Sequence, residues 1–168
     1  MAGNEEVDRL AREAANIESK PLSVPATDYY SAFSKFLKSR WQAFWSSFAS
    51  NKLRKVKASV SPWSAPCHRN RRWETALARL RVGHTRLTHG YLMDRSDPPR
   101  CAHCDTRITV PHILLTCPLY TGARDFNFPH LLTLNRPPRL EDILSETPYF
   151  SIDAIMNFLD SIGILKDI

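Results

Sequence analysis

Cys101, Cys104, His112 and Cys117 are the residues of this chain whose types and spacing could do chemistry. They lie within CAHCDTRITVPHILLTC (residues 101–117), which reads C-x2-C-x7-H-x4-C. Two thiolates separated by two residues can hold one face of a metal ion from a tight turn. A histidine and a cysteine five apart on a short helical turn can close the tetrahedron from the other side. Three sulfurs and one imidazole are the donor set of a closed, structural Zn2+ site. Such a site contributes folding energy outright, because the short loop between the two pairs has no core of its own. The competing readings are a chance cluster of buried thiols and a redox pair. Four ligands at compatible spacing favour zinc over a lone C-x-x-C.

Other residues invite similar readings and carry less. His84 and His89, in GHTRLTHG, are spaced well enough for a metal pair, but no cysteine or carboxylate stands near them in sequence, so a structural role is expected. His103 lies between two ligands and is expected to point outward while the flanking thiolates turn inward. Cys67 and His68 are adjacent and could form a stray ligand pair. Asp8 is, by default, an exposed helix acid.

The elements that must position these residues are mostly helices. Residues 4–16 suit a helix capped by Asn4, with Val7, Leu10, Ala11 and Ala14 on one face. SKPLSVPAT (residues 19–27) reads as a linker. A longer helix is predicted at about 28–50, with Thr27 as a cap. Its stripe of Tyr30, Phe33, Leu37, Trp41, Phe44 and Phe48 is spaced by three or four throughout. Burial of that aromatic face by core packing is the expectation, ahead of base stacking. A basic connection follows at 51–63. A third helix begins near Arg69, with Trp73, Leu77, Leu80 and Leu87 facing inward, and its opposite side is expected to offer Arg71, Arg72, Arg79 and Arg81, with Arg86 close behind. SDPPR (96–100) ends the helical stretch around HGYLM, and ITV (108–110) suits a short strand. Beyond the cysteine motif, proline breaks alternate with short apolar helices. Ser151 caps the last of these, whose stripe is Ile152, Ile155, Met156, Leu159 and Ile162. No internal repeat or low-complexity tract is present.

Composition narrows the function classes. With 168 residues and a 43% apolar share, the chain can build one ordinary core or two small ones. No segment approaches the ~20 uninterrupted apolar residues of a membrane span. The polar, acidic N-terminus does not resemble a signal or transit peptide. Three of the four cysteines fall in the metal motif, which suits a reducing compartment, nuclear or cytoplasmic, better than a disulfide framework. Residues 35–100 hold fifteen Lys/Arg against three acids, a local net of +12, while the chain as a whole carries +6. A basic middle between acidic ends suggests a polyanion partner, usually nucleic acid, with solvated helix faces as the plainer alternative.

Two stretches carry a family resemblance. WQAFW, NKLRKVK, RRWETALARLRVGHTRLTHGYL, PPRCAHC and LTCPLY, between Trp41 and Tyr120, together resemble the C-terminal region of the polyprotein of arthropod non-LTR retrotransposons, the jockey-like LINE elements. There a zinc knuckle follows the reverse transcriptase and, in many elements, a ribonuclease H domain. GNEEVDRLAREAA, near the N-terminus, resembles the last helix of type 1 ribonuclease H, and by that match Asp8 stands where the fourth metal-binding carboxylate stands. The order of the two stretches agrees with the resemblance. The other catalytic carboxylates of that enzyme lie upstream of this helix and have no counterpart here. Hydrolysis by two Mg2+ ions needs several carboxylates around a metal pair, and one helix cannot supply them. Mg2+ would therefore be a cofactor only with a complete ribonuclease H domain. The expectation is no ribonuclease activity from this chain alone, as for a truncated product or relic of a longer element protein.

The expected architecture is mainly α: a small helical domain with an inserted Cys-Cys-His-Cys zinc knuckle, preceded by an isolated ribonuclease H terminal helix. Its parts are the remnant helix (1–18), linker (19–27), basic and aromatic helical region (28–100), knuckle (101–117) and C-terminal short helices (118–168). The leading functional expectation is a zinc-stabilised module that binds RNA or DNA through phosphates. The expected contacts are Lys52, Arg54, Lys55, Lys57, Arg71, Arg72, Arg79, Arg81 and Arg86. One alternative is a docking module for a reverse transcriptase or ribonuclease H domain. Another is a ribonuclease H fragment that acts on RNA–DNA hybrids when complemented. No membrane partner is expected.

Overall fold

The computed structural model describes residues 2–16, 23–63, 70–147, 149 and 151–168. Cys67 and His68 lie outside the described residues, as do residues 19–22 of the 19–27 linker. The chain divides into two compact units, Met1–Ser39 and Arg40–Ile168. Eight α-helices are seen among the described residues: α1 (Ala2–Asn16), α2 (Ala26–Ser47), α3 (Arg71–Val82), α4 (Arg86–His89), α5 (Tyr91–Asp94), α6 (Thr121–Asn127), α7 (Leu140–Leu144) and α8 (Ile152–Ser161). The fold is mainly helical, as the periodicity predicts. No strand is present among the described residues. The expected strand at 108–110 is reduced to one antiparallel bridge, Arg100 with Arg107, and Val110 already begins the next turn.

The first unit holds α1 and the start of α2. Arg9 reaches Glu6 at 2.6 Å and Glu13 at 2.5 Å along the surface of α1, at the i,i+3 and i,i+4 spacings that support a helix locally. Asp8 is exposed on the same helix. The aromatic face of α2 departs from expectation. Tyr30, Phe33, Trp41 and Phe44 are 74%, 58%, 60% and 63% exposed, so the stripe is not buried within this chain. Periodicity marks which face of a helix is apolar and leaves open what covers it.

The second unit is organised round one core. Leu77 and Leu80 of α3, Val110, Ile113 and Leu114 beside the metal motif, Phe128, Ile143 and Leu144, and Ile155, Met156, Phe158 and Leu159 of α8 share a single buried cluster. The knuckle and the C-terminal helices are therefore parts of one core with α3. Caps fix the helix ends as the sequence predicts for α8, where the Ser151 hydroxyl accepts from Ala154 N at 3.3 Å. Asn70 caps α3 by accepting from Arg72 N at 3.0 Å. Gly83 closes α3 at φ 76°, the left-handed conformation that glycine adopts without strain. The connection after α2 is tied back by side chains. Trp45 Nε1 donates to Lys57 O at 2.9 Å, and Gln42 donates to Ala58 O and accepts from Val60 N, both at 2.9 Å.

Candidate metal centre and its basic surroundings

The metal motif is assembled from two local turns. The first runs from Cys101 to Thr106: Cys101 N donates to Thr106 O and Asp105 N to Cys101 O, both at 2.8 Å. Asp105 accepts the tight bend with φ 51°, and its carboxylate takes a two-pronged bond from Arg100 at 2.8 and 3.0 Å. The second is a wide π-type turn at His112–Thr116, closed by Cys117 N donating to His112 O at 2.8 Å. Pro111 begins it, and Pro118 follows Cys117 with no N–H to continue it.

These turns bring Cys101, Cys104, His112 and Cys117 together, with one donor atom from each lying within 4.8 Å of all the others. Among the described residues, no other group of three or more His, Cys, Asp or Glu side chains meets in this way. Cys101 Sγ and Cys117 Sγ are 3.8 Å apart, and Cys104 Sγ is 3.5 Å from His112 Nε2. Nε2 is therefore the donor atom. Nδ1 on the far side of the ring meets Thr106 Oγ1 at 3.1 Å and Thr116 Oγ1 at 3.4 Å, which fixes the imidazole's orientation. His112, Cys101 and Cys117 are buried and Cys104 is half-buried. The cluster can hold a metal ion.

Its electrostatics act oppositely on two of the thiols, favouring the thiolate at Cys101 and opposing it at Cys117. The His112 ring and the backbone N–H groups of Cys104 and His103 pull the Cys101 thiol down to about 6. Burial pushes the Cys117 thiol up, against a backbone N–H from Leu119. Arg124 supplies a cation close by. It is 9% exposed, and burial lowers its pKa, opposed by Asp125 and Cys117. Its Nε donates to Leu114 O at 2.9 Å and its Nη2 to Cys117 O at 2.8 Å. Pro118 stands where an α-helical donor to the Leu114 carbonyl would stand, and Arg124 takes its place. No sequence rule singled out Arg124, because an arginine reads as surface until its carbonyl partners are known.

The basic residues expected to touch phosphate fall into two groups. Lys52, Lys55, Arg71, Arg72 and Arg86 are exposed, and no ion pair among the described residues engages them. The others have internal tasks. Arg81 donates to Leu144 O at 2.9 Å and lies 3.7 Å from the centre of the Trp63 ring. Desolvation brings its pKa down to about 10, against the pull of Glu146. Lys57 pairs with Glu146 at 3.5 Å and stands 4.4 Å over the other ring contact of Trp63. Arg54 is half-buried, and Arg79, though exposed, donates to Ile168 O at 2.9 Å. Helical spacing signals the duty of Arg81: it follows buried Leu77 by four residues and shares its face.

His84 and His89 stack face to face with ring centres 3.9 Å apart, and His89 Nδ1 meets Thr88 Oγ1 at 2.7 Å. They form a ring pair outside the metal quartet. His103 is exposed.

No protein family, curated protein or solved structure matches this chain.

Proposed function

We propose that this chain is a zinc-stabilised nucleic-acid-binding module, the role expected of the C-terminal region of a non-LTR retrotransposon reverse transcriptase. The observation that carries this reading is the set of exposed cations, Lys52, Lys55, Arg71, Arg72 and Arg86, which no ion pair among the described residues engages, on elements that share a core with the metal motif. Zinc is supported by the donor set and by the spacing. A tetrahedral centre with bonds of ~2.3 Å to sulfur and ~2.0 Å to nitrogen has edges of about 3.8 Å between sulfurs and about 3.5 Å between sulfur and nitrogen. Those edges match the 3.8 Å from Cys101 to Cys117 and the 3.5 Å from Cys104 to His112. With all four positions taken by protein, the ion would be a staple with no open site for substrate or water. Its part is to fix the turn that packs on α3.

Contacts to phosphate by these five side chains give affinity with little choice of sequence. If all five engage, log K falls with log salt at a slope of roughly −3.5 for single strands to −4.5 for duplex. A salt titration of binding to a labelled single-stranded RNA tests this directly. Affinity that does not change with salt, or none for any nucleic acid, overturns the reading.

A second reading rests on a separate observation. The exposed stripe of α2 through Phe33, Trp41 and Phe44 is the kind of apolar face that protein partners cover. By the same resemblance, that partner is a reverse transcriptase or ribonuclease H domain. Co-purification with such a domain from the same element, abolished by Trp41→Asp, tests it.

A further inference from the structure

A cavity of about 610 Å³ opens between α3, the start of α7 and the chain between the metal turns, separate from the metal quartet. Its floor is apolar, formed by half-buried Ile108 and Leu140 and backed by fully buried Leu80 and Val110. Its rim is cationic. Lys52, Lys55 and Arg107 line it, are exposed, and meet no carboxylate in an ion pair among the described residues. Arg139 and Glu141 also line it and pair with each other at 3.4 Å, so the rim's one carboxylate faces its own arginine. Gly83 belongs to the wall, and a Cβ there would meet the Lys52 stem at 3.0 Å, so the glycine lets that lysine lie across the opening. One side is aromatic: His89 lines the cavity, stacks on His84, and lies 6.3 Å from Tyr91, over which Arg107 is placed at 5.4 Å.

An apolar floor wide enough for a ring, stackable side groups and a rim of unneutralised cations ask for one kind of ligand. It is a flat, largely apolar heterocycle carrying a phosphate. We propose that this cavity takes one unpaired nucleotide, with its base on Ile108 and His89 and its phosphate at Lys52, Lys55 and Arg107. This rests on the nucleic-acid reading and deepens it, because a base can enter only when it is free of a duplex. The exposed arginines of α3 and α4 hold either form of nucleic acid by its backbone, while the cavity distinguishes single strands. Stacking on such a surface is tolerant of base identity, since every base has a π-face.

The experiment compares a labelled single-stranded 12-mer RNA with a duplex of the same length, on the zinc-loaded full chain. Leu140→Trp fills the cavity from a half-buried position. The expected result is about tenfold weaker binding to the single strand, the loss of one stacked base, with duplex affinity unchanged. Equal weakening of both, or of neither, in a variant whose melting temperature and metal content match wild type overturns the proposal and leaves the phosphate reading standing. Absence of any nucleic-acid binding by wild type defeats both. Photo-crosslinking of a 4-thiouridine 12-mer to the wild-type chain gives an answer even if Leu140→Trp fails to fold. Crosslinks at residues 80–89 or 107–111 are expected, and crosslinks confined to other segments overturn the proposal. Free uridine monophosphate that competes with the 12-mer identifies a pocket filled by a nucleotide alone. A strand whose binding resists that competition, yet still crosslinks at these positions, identifies a pocket filled only from within a chain.

Discussion

Replacing Arg124 by methionine separates the metal turn from the core without touching a ligand. The guanidinium is 9% exposed and donates to two carbonyls, of Leu114 and Cys117, in residues that are themselves fully buried. Methionine fills most of the same volume, so the cavity contribution is small and the loss is one of hydrogen bonding. The Leu114 carbonyl cannot turn to residue 118, a proline, and the Leu119 N–H is aimed at the Cys117 sulfur. Leaving such an acceptor unsatisfied costs about 1–3 kcal/mol. The Cys117 carbonyl keeps a bond from Tyr120 N at 3.3 Å, so its loss is nearer the net value of one bond, about 1 kcal/mol. The sum is about 2–4 kcal/mol. Releasing the guanidinium from a desolvated position returns part of this, but the Leu114 carbonyl still loses its Arg124 donor in the methionine variant. Because the Cys117 carbonyl adjoins a ligand, metal affinity is expected to fall by about 10–100-fold, as for other outer-sphere partners. Urea denaturation of the zinc-loaded chain measures the first quantity, and competition with a chromophoric chelator measures the second. Arg124→Lys, which retains the charge and can reach one carbonyl, is expected to fall between. A methionine variant within about 0.5 kcal/mol of wild type, with unchanged metal affinity, would refute the coupling.

Three further perturbations test other parts of the structure. Cys104→Ser, or chelation of the wild type, is expected to abolish stoichiometric zinc and unfold residues 100–120, since structural zinc is worth about 10–16 kcal/mol in isolated motifs; unchanged metal content and circular dichroism would contradict it. Asp142 is 8% exposed and bonded by Arg136 at 2.5 and 2.8 Å and by Arg139 N at 2.8 Å. Burial pushes its pKa up, but those partners outweigh it and leave the carboxyl below its ordinary value. Its stabilisation is then fully present above the unfolded value near pH 4 and is lost as pH falls through the lower folded value. Asp142→Asn should cost about 1.5–3 kcal/mol at pH 7 and flatten that acid limb in melts taken from pH 7 to 2; an unchanged acid limb would count against it. Trp41→Ser removes a side chain that is 60% exposed, so stability should stay within about 0.5 kcal/mol of wild type in a thermal melt. A fall of several degrees would mean that the stripe is packed in solution.

Local signals carried much of the architecture. The metal quartet was legible because its ligands lie within seventeen residues and each turn is short. Helix α8 was legible because Ser151 and the period of Ile155, Met156 and Leu159 point to the same register. Phe158 escaped that stripe, yet it is fully buried because α8 is covered on a wider arc by Tyr120 and Phe128. Arg124 and Asp142 were illegible for a different reason: burying a charge depends on partners supplied by tertiary structure, and sequence rules assign charges to the surface. The cavity was beyond reach because four segments, near residues 52–55, 80–89, 107–111 and 139–141, meet only in the folded chain. Arg107 lies inside the metal motif, and nothing in its local sequence distinguishes it from a solvated loop arginine.

The wide turn at His112–Thr116 bears on how insertions and deletions act here. In an α-helix each residue advances ~100°, so groups five apart point ~140° away from each other. The Cys117 N–H bond to the His112 carbonyl spans five residues and lowers the advance per residue, which returns both side chains to one side. Removing one residue from Ile113–Thr116 would yield His-x3-Cys, and a plain α-turn would then present the same two donors together. Adding one residue leaves no regular turn that does so. Length variation at this point is thus one-sided in its local geometry: the site can shorten to an ordinary helix, and it lengthens only by giving up regular helical turns.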